Sequence, residues 1–121
     1  IGDGGTKRNL VSASQGIKNI VFYEPVDRNT LCKMYKDSDF LFLHLNSYEA
    51  FEKVLPSKIF EYSVTNKVII AGVDGYASQF IKENVNNHIL FKPCDIESFK
   101  FQFNNYDQSL SISRKKFTEN F

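Results

Sequence analysis

The chain has 121 residues, of which 42% are apolar and 24% are charged, and its formal net charge is +1 at pH 7. This composition excludes an intrinsically disordered chain and a basic surface for nucleic acid, and it predicts one domain with a hydrophobic core. Two cysteines far apart, Cys32 and Cys94, and the lack of a long apolar run indicate a cytoplasmic location.

Helical and strand-like segments alternate along the chain. The first residues have the pattern of a strand end, which predicts a single partial domain over residues 1–121 that lacks its first strand and helix. The patterns predict strands at 19–23, 40–45, 67–71 and 88–92, and helices at 6–15, 28–36, 56–65, between the turn at 72–75 and about 84, and from 95 onward.

This alternation predicts an α/β fold with a Rossmann-like parallel sheet and helices on both faces. The run of apolar residues at 40–45 is typical of a central strand that is covered on both sides. In such a sheet the loops that follow the strands lie at one carboxyl edge, where ligands bind. Five loops are predicted to meet there, at residues 2–5, 24–27, 46–55, 72–75 and 93–95.

The helix that follows Leu55 carries the strongest functional pattern. Pro56 suits the first helical position, which makes Leu55 an N-cap that offers no side-chain acceptor. An uncapped helix start can bind phosphate, and Ser57, Lys58 and Glu61 share one helix face. The pattern therefore predicts a nucleotide-sugar site, although a Lys–Glu pair on a surface helix often only faces solvent.

Two other motifs predict less than they first suggest. The run Gly2 to Gly5 lacks the third glycine of a dinucleotide-binding loop, because Lys7 stands in its place. Asp37 and Asp39 form a D-x-D motif, but they precede the strand at 40–45 and so lie at the amino edge. We interpret them as a turn that ends a helix and expect no metal site there.

Two polar positions after the strand at 40–45 have open interpretations. His44 ends that strand and is either a packed residue or a group that faces the cleft. Glu49, in the next loop, either reaches a sugar or is simply solvated. No serine or cysteine has the partners that a nucleophilic triad requires.

Taken in order, these motifs resemble the C-terminal, donor-binding lobe of GT-B glycosyltransferases. The similarity is strongest to family 4 retaining enzymes of bacterial O-antigen and capsule assembly, especially the fucosamine-transferase-like group. The motifs that carry it are Gly2-Asp3-Gly4, Asn19-Ile20-Val21-Phe22, Leu31-x-x-Met34-Tyr35-x-x-Ser38-Asp39, Pro56-Ser57-Lys58-x-x-Glu61-Tyr62, Lys67-Val68-Ile69-Ile70, Pro93-x-Asp95 and Arg114-Lys115-Lys116-Phe117-x-x-Asn120-Phe121.

The resemblance implies roles for the helix at Pro56. Glu61 would bind the ribose hydroxyls of the donor nucleotide, and Ser57 and Lys58 would contact its diphosphate. The family also has a glutamate eight residues before the second one, and this chain has Lys53 at that position.

Other positions are implied to surround the rest of the donor. The segment Glu24 to Val26 would border the base, although the family commonly has a glycine where this chain has Glu24. His44, Asn46 and Glu49 would lie near the donor sugar. Gly4 is expected to allow the backbone to approach the ligand or a neighbouring lobe.

The implied function is retaining transfer of an amino or deoxy sugar, with UDP as the expected carrier, to a lipid-linked precursor of lipopolysaccharide. The resemblance implies a metal-independent reaction without a cofactor, a separate N-terminal acceptor lobe, and a full-length enzyme at the inner face of the plasma membrane. We expect the fragment alone to be inactive. Two alternatives are a nucleotide-sugar 2-epimerase of the same architecture and a non-catalytic Rossmann-like binding domain.

Overall fold

A computed structural model describes all 121 residues. It contains six α-helices, three β-strands and one 3-10 helix. In chain order the elements are α1 (Lys7–Ala13), α2 (Arg28–Asp37), β1 (Phe40–His44), the 3-10 helix (Glu49–Lys53), α3 (Ser57–Ser63), β2 (Val68–Gly72), α4 (Gly75–Asn84), β3 (His88–Phe91), α5 (Ile96–Asn104) and α6 (Lys115–Asn120).

The three strands form one parallel sheet in the order β1-β2-β3. Phe40 is the partner of Val68, and Ile69 is the partner of His88. Every residue of β2 is buried, as expected for the middle strand of a sheet that is covered on both faces. The α/β class and the parallel sheet are thereby confirmed, as are the strands predicted at 40–45, 67–71 and 88–92, within one residue at each end. The central position predicted for the strand at 40–45 is wrong, because β1 lies at an edge of the sheet and Phe42 is 56% exposed.

Helices pack on both faces of this sheet. On one face α3, α4 and α6 cover the strands, and the buried residues of this cluster include Ile59, Ile69, Ala71, Ile81 and Phe117. On the other face α5 packs Phe99 and Phe103 against Val68, Ile70, Ile89 and Phe91. The result is three layers, consistent with a Rossmann-like arrangement.

Aspartate side chains fix the start of three helices. Asp27 accepts a hydrogen bond from the N–H of Thr30 at 3.0 Å at the start of α2. Asp74 accepts one from the N–H of Gly75 at 2.8 Å, and Asp95 accepts one from the N–H of Ser98 at 2.9 Å. Each bond satisfies a backbone donor that the helix itself leaves free.

The chain divides into two compact units, Ile1–Met34 and Tyr35–Phe121. The sheet and both hydrophobic clusters lie in the second unit. No residue of the first unit is buried, so this segment has no hydrophobic core of its own.

The strand predicted at 19–23 is wrong. These residues have no assigned strand, and all five are exposed. Their hydrogen bonding to another segment of the first unit consists of one bond, from the N–H of Gly2 to the carbonyl of Tyr23 at 3.1 Å. A strand requires a paired neighbour along its length, and this segment has none.

Candidate functional site

Three loops follow the strands at the carboxyl edge of the sheet. They are the segment from Leu45 to Pro56, the turn at Val73 and Asp74, and the segment from Lys92 to Asp95. The predicted meeting of loops at this edge is confirmed for these three. The strand expected before residues 24–27, at 19–23, does not form, and residues 2–5 and 24–27 both belong to the first unit, so their place at this edge stays a prediction.

The start of α3 differs by one residue from the prediction. Pro56 is the N-cap, with φ −64° and ψ 136°, and Ser57 is the first helical residue. The fixed φ of proline suits both positions, so the difference depends on ψ, which is extended. The expected lack of a cap is confirmed, because no side chain accepts a hydrogen bond at this helix start. Ser57 is exposed there.

Lys58 and Glu61 form the centre of a polar cluster on α3. The Nζ of Lys58 lies 2.7 Å from Oε2 of Glu61. Both side chains are open to solvent, with 42% and 30% of their surface exposed respectively. The hydrogen bond to Glu61 raises the pKa of Lys58 to about 12, although partial burial opposes this shift. Lys58 is therefore charged at neutral pH, and both side chains are partly accessible to a ligand.

Tyr35 is the third member of this cluster, and the sequence did not identify it as a site residue. Its hydroxyl accepts a hydrogen bond from Nζ of Lys58 at 3.1 Å and donates one to Oε2 of Glu61 at 3.2 Å. The Lys58 ammonium also lies 5.8 Å from the centre of the Tyr35 ring. Tyr35 belongs to one of the motifs that carry the resemblance, and that motif is the signal in the sequence that pointed toward this position.

A second tyrosine, Tyr62, packs against the ring of Tyr35. The rings of Tyr35 and Tyr62 meet edge to face with their centres 5.3 Å apart. The hydroxyl of Tyr62 approaches the carbonyl oxygen of Phe42 at 3.4 Å, and burial raises the pKa of Tyr62. The ring contact holds Tyr35 against α3, and the bond to Phe42 ties Tyr62 to β1.

His44 lies at the carboxyl end of β1, where it contacts the loop after β3. Its Nε2 accepts a hydrogen bond from the backbone N–H of Cys94 at 3.0 Å. Its ring stacks on the rings of Phe42 and Phe91, with centres 6.4 Å and 6.1 Å away. Because Nε2 acts as an acceptor, the proton of the neutral ring is on Nδ1. This arrangement favours a structural interpretation of His44, since one ring nitrogen is already engaged.

The middle strand, β2, ends at the carboxyl edge in a glycine, Gly72. A Cβ at Gly72 would clash with the ring of Phe91 and would lie 2.6 Å from Cδ2 of His44. The absence of a side chain at this position allows the rings of the two outer strands to meet over β2. Cys94 itself has a positive φ of 60°, an uncommon conformation for a residue with a side chain.

The loop after β1 presents two of the predicted residues to solvent. Asn46 and Glu49 are both exposed. Asn46 lines a small cavity of about 50 Å³ at the carboxyl edge together with Glu52 and Asp74. The 3-10 helix packs closely against the start of α4. A Cβ at Gly75, which has φ +57°, would clash with the backbone of Glu52, so glycine at this position permits the close approach.

Three predicted site residues belong to the first unit. Glu24 forms an ion pair with Lys7, in which Nζ and Oε1 lie 2.5 Å apart. The carbonyl of Gly4 accepts the N–H of Lys7 at 2.9 Å as the chain enters α1, and Val26 is exposed. A Cβ at Gly4 would meet nothing within 4 Å, so no contact within the chain requires glycine there.

The predicted turn at Asp37 and Asp39 is confirmed, since α2 ends at Asp37 and β1 begins at Phe40. No group of three or more histidine, cysteine, aspartate or glutamate residues is arranged to hold a metal ion. None of the helices combines the length and the apolar character that crossing a membrane requires. No protein-family model, curated protein or solved structure matches the chain.

Proposed function

We propose that this chain binds the donor of a GT-B retaining glycosyltransferase, a sugar linked to a nucleoside diphosphate. The observation that supports the proposal is the cluster on α3. An uncapped helix start, a half-buried lysine and a half-buried glutamate follow one another along the first turns of a helix that begins near the carboxyl edge of the sheet. The combination offers cationic and acceptor groups to a ligand that carries phosphates and sugar hydroxyls.

The proposed chemistry requires negative charge to be stabilised on the leaving group. In the transfer, the bond between the anomeric carbon and the diphosphate oxygen would break, the acceptor oxygen would form the new bond to that carbon, and the proton of the acceptor hydroxyl would pass to the departing diphosphate. Lys58 and the free N–H groups at the start of α3 would stabilise the charge that develops on the diphosphate. Glu61 would accept hydrogen bonds from the ribose.

The resting contacts of Lys58 are compatible with this role. Its ammonium is shared between Glu61 and Tyr35, and a diphosphate would compete for the same three donors. When Lys58 turns toward a phosphate, the Tyr35 hydroxyl still donates to Glu61 and keeps the carboxylate in position. The 2-epimerase alternative would require an acid or base in the cleft, and nothing in the contacts of His44 favours it.

The test is ligand-observed NMR on the chain with UDP, GDP, NAD and inorganic phosphate in competition. We expect UDP to bind and both Lys58→Ala and Glu61→Ala to weaken its binding, by about tenfold for the loss of a charge-assisted contact. Lys100→Ala is the matched control, because Lys100 and Glu97 form a Lys–Glu pair at 2.9 Å on α5.

Three outcomes would contradict the proposal. The first is UDP binding that neither α3 variant weakens, which would make the cluster structural. The second is an equal loss of binding in the Lys100→Ala control, which would indicate a general charge effect. The third is the absence of saturable UDP binding at millimolar concentration.

A further inference from the structure

The outer edge of β3 forms the floor of a cleft. Because β3 is the last strand in the sheet order, it is paired on one side only, and alternate residues direct their N–H and C=O groups outward. The cleft has a volume of about 450 Å³. Ser78 and Lys82 of α4 form one wall, and Ser98 and Gln102 of α5 form the other.

At the carboxyl end of β3 the next backbone N–H already has a hydrogen-bond partner. The hydroxyl of Ser98 accepts a hydrogen bond from the backbone N–H of Lys92 at 3.0 Å, directly after the last residue of β3. The free edge is therefore limited to His88–Phe91. Four residues at about 3.3 Å per residue give an edge of about 13 Å, which is the length of a short extended peptide.

Lysines outnumber carboxylates in the lining of the cleft, by Lys82 and Lys92 to Asp74. Lys82 and Lys92 both line it, both are exposed, and neither has an ion-pair partner. Asp74 is the one carboxylate in the lining, and its side chain accepts the N–H of Gly75 at the start of α4. Outside the lining, Glu83 accepts a hydrogen bond from Gln79, Asp95 accepts one from the N–H of Ser98, and Glu97 pairs with Lys100. A ligand with negative charge would complement the two lysines.

We propose that this cleft binds an acidic, extended peptide segment of a partner protein, which adds as a strand to the outer edge of β3. A strand satisfies the outward N–H and C=O groups together, whereas a small anion would satisfy donors alone. Acidic side chains at alternate positions would reach Lys82 and Lys92. A second copy of the chain is a poorer occupant, because a two-fold contact through this edge would bring the same lysines together.

The test uses two synthetic peptides, acetyl-Glu-Val-Glu-Val-Glu-amide and its counterpart with lysine in place of glutamate. Amide shifts of the full chain are followed by two-dimensional NMR during each titration. We expect the acidic peptide to shift the amides of β3 and to bind about tenfold more tightly than the basic one. A form of the acidic peptide that is N-methylated at alternate amides should bind at least tenfold more weakly, because it cannot donate to the edge.

Charge-reversal variants test whether the preference for the acidic peptide depends on the lysines of the cleft. Lys82→Glu combined with Lys92→Glu should reverse the preference between the two peptides. Lys100→Glu combined with Lys115→Glu changes the net charge equally but outside the cleft, and should preserve the preference. All these lysines are exposed, and the milder Lys82→Gln variant, which should reduce the preference, serves if a charge reversal affects folding.

Each other result would overturn the proposal. No shift in β3 with either peptide means that the edge does not bind a strand. Equal binding of the N-methylated peptide, or saturable displacement by inorganic phosphate, would identify a small-anion site instead. Loss of preference in the Lys100 and Lys115 variant would indicate non-specific attraction to the whole chain.

Discussion

Replacing Arg114 with methionine should destabilise the protein strongly. Only 4% of Arg114 is exposed, and its guanidinium connects three backbone carbonyls. Nε donates to the carbonyl of Thr65 at 3.1 Å, and Nη2 donates to that of Lys67 at 2.6 Å. Nη1 donates to both the backbone carbonyl and the side-chain oxygen of Asn86. One side chain thus holds together the segments before β2 and before β3.

The magnitude follows from what the change leaves behind. Methionine keeps most of the apolar stem but donates no hydrogen bond. The carbonyls of Thr65 and Lys67 belong to half-buried residues, and each orphaned acceptor costs about 1–3 kcal/mol, whereas exposed Asn86 can bond to water. Loss of a buried charge recovers part of this cost, since burial already lowers the pKa of Arg114. We expect a net loss of about 2–3 kcal/mol in the free energy of unfolding.

Urea denaturation measures this loss. A typical urea dependence of about 1–3 kcal/mol per molar for small proteins converts this loss into a midpoint about 0.7–3 M lower. Lys115→Met is the control, because the neighbouring Lys115 side chain is 81% exposed and its ion pair to Glu119 spans 3.8 Å. It should change stability by less than about 0.5 kcal/mol. A free energy of unfolding for Arg114→Met within about 0.5 kcal/mol of wild type would refute the reasoning, because it would show that the carbonyls find other donors.

Three further changes test other parts of the fold. Gly72→Ala should cost about 1–3 kcal/mol, because its Cβ would overlap the Phe91 ring, whereas Gly4→Ala should be neutral in the same urea experiment; equal effects would contradict the clash. Ser63→Ala should leave the protein unchanged or up to about 1 kcal/mol more stable, because its fully buried hydroxyl has no partner, and a clear loss of stability would reveal a hidden one. The pKa of Lys58, about 12 by its contacts, should fall toward 10.5 in Glu61→Gln when Nζ is followed by NMR. Since pairing raises the folded-state pKa, the small stabilisation from this pair is complete below about pH 10.5 and is lost as the pH rises through 12; an unchanged pKa in the variant would show that Glu61 is not its cause.

Much of the second unit could be predicted because its signals are local. The strands β1, β2 and β3 are short apolar runs between turns, and Asp74 and Asp95 stand where helix caps are expected. The segment at 19–23 has a similar pattern, but a strand also depends on a neighbour that the pattern cannot specify. One apolar run is therefore a strand, at 40–44, whereas a similar run at 19–23 is an exposed segment without strand structure.

The candidate site could be predicted only in part for the same reason. Lys58 and Glu61 are three residues apart, so helical spacing alone brings them together. Tyr35 reaches them from 23 and 26 residues away, and Arg114 reaches Thr65 across 49 residues. No local pattern encodes such contacts, because they depend on how separate helices pack. The hydrogen bond between Cys94 and His44, across 50 residues, is equally invisible in the sequence.

The missing side chain at Gly72 has a consequence for how this protein can diverge. Positions 44, 72 and 91 occupy one shared volume above the middle strand, with the rings of His44 and Phe91 in the space that a residue at 72 would fill. No one of the three can be enlarged while the other two stay as they are. Descendants of this chain should therefore exchange residues at these positions in a correlated manner, with a larger residue at 72 accompanied by a smaller one at 91.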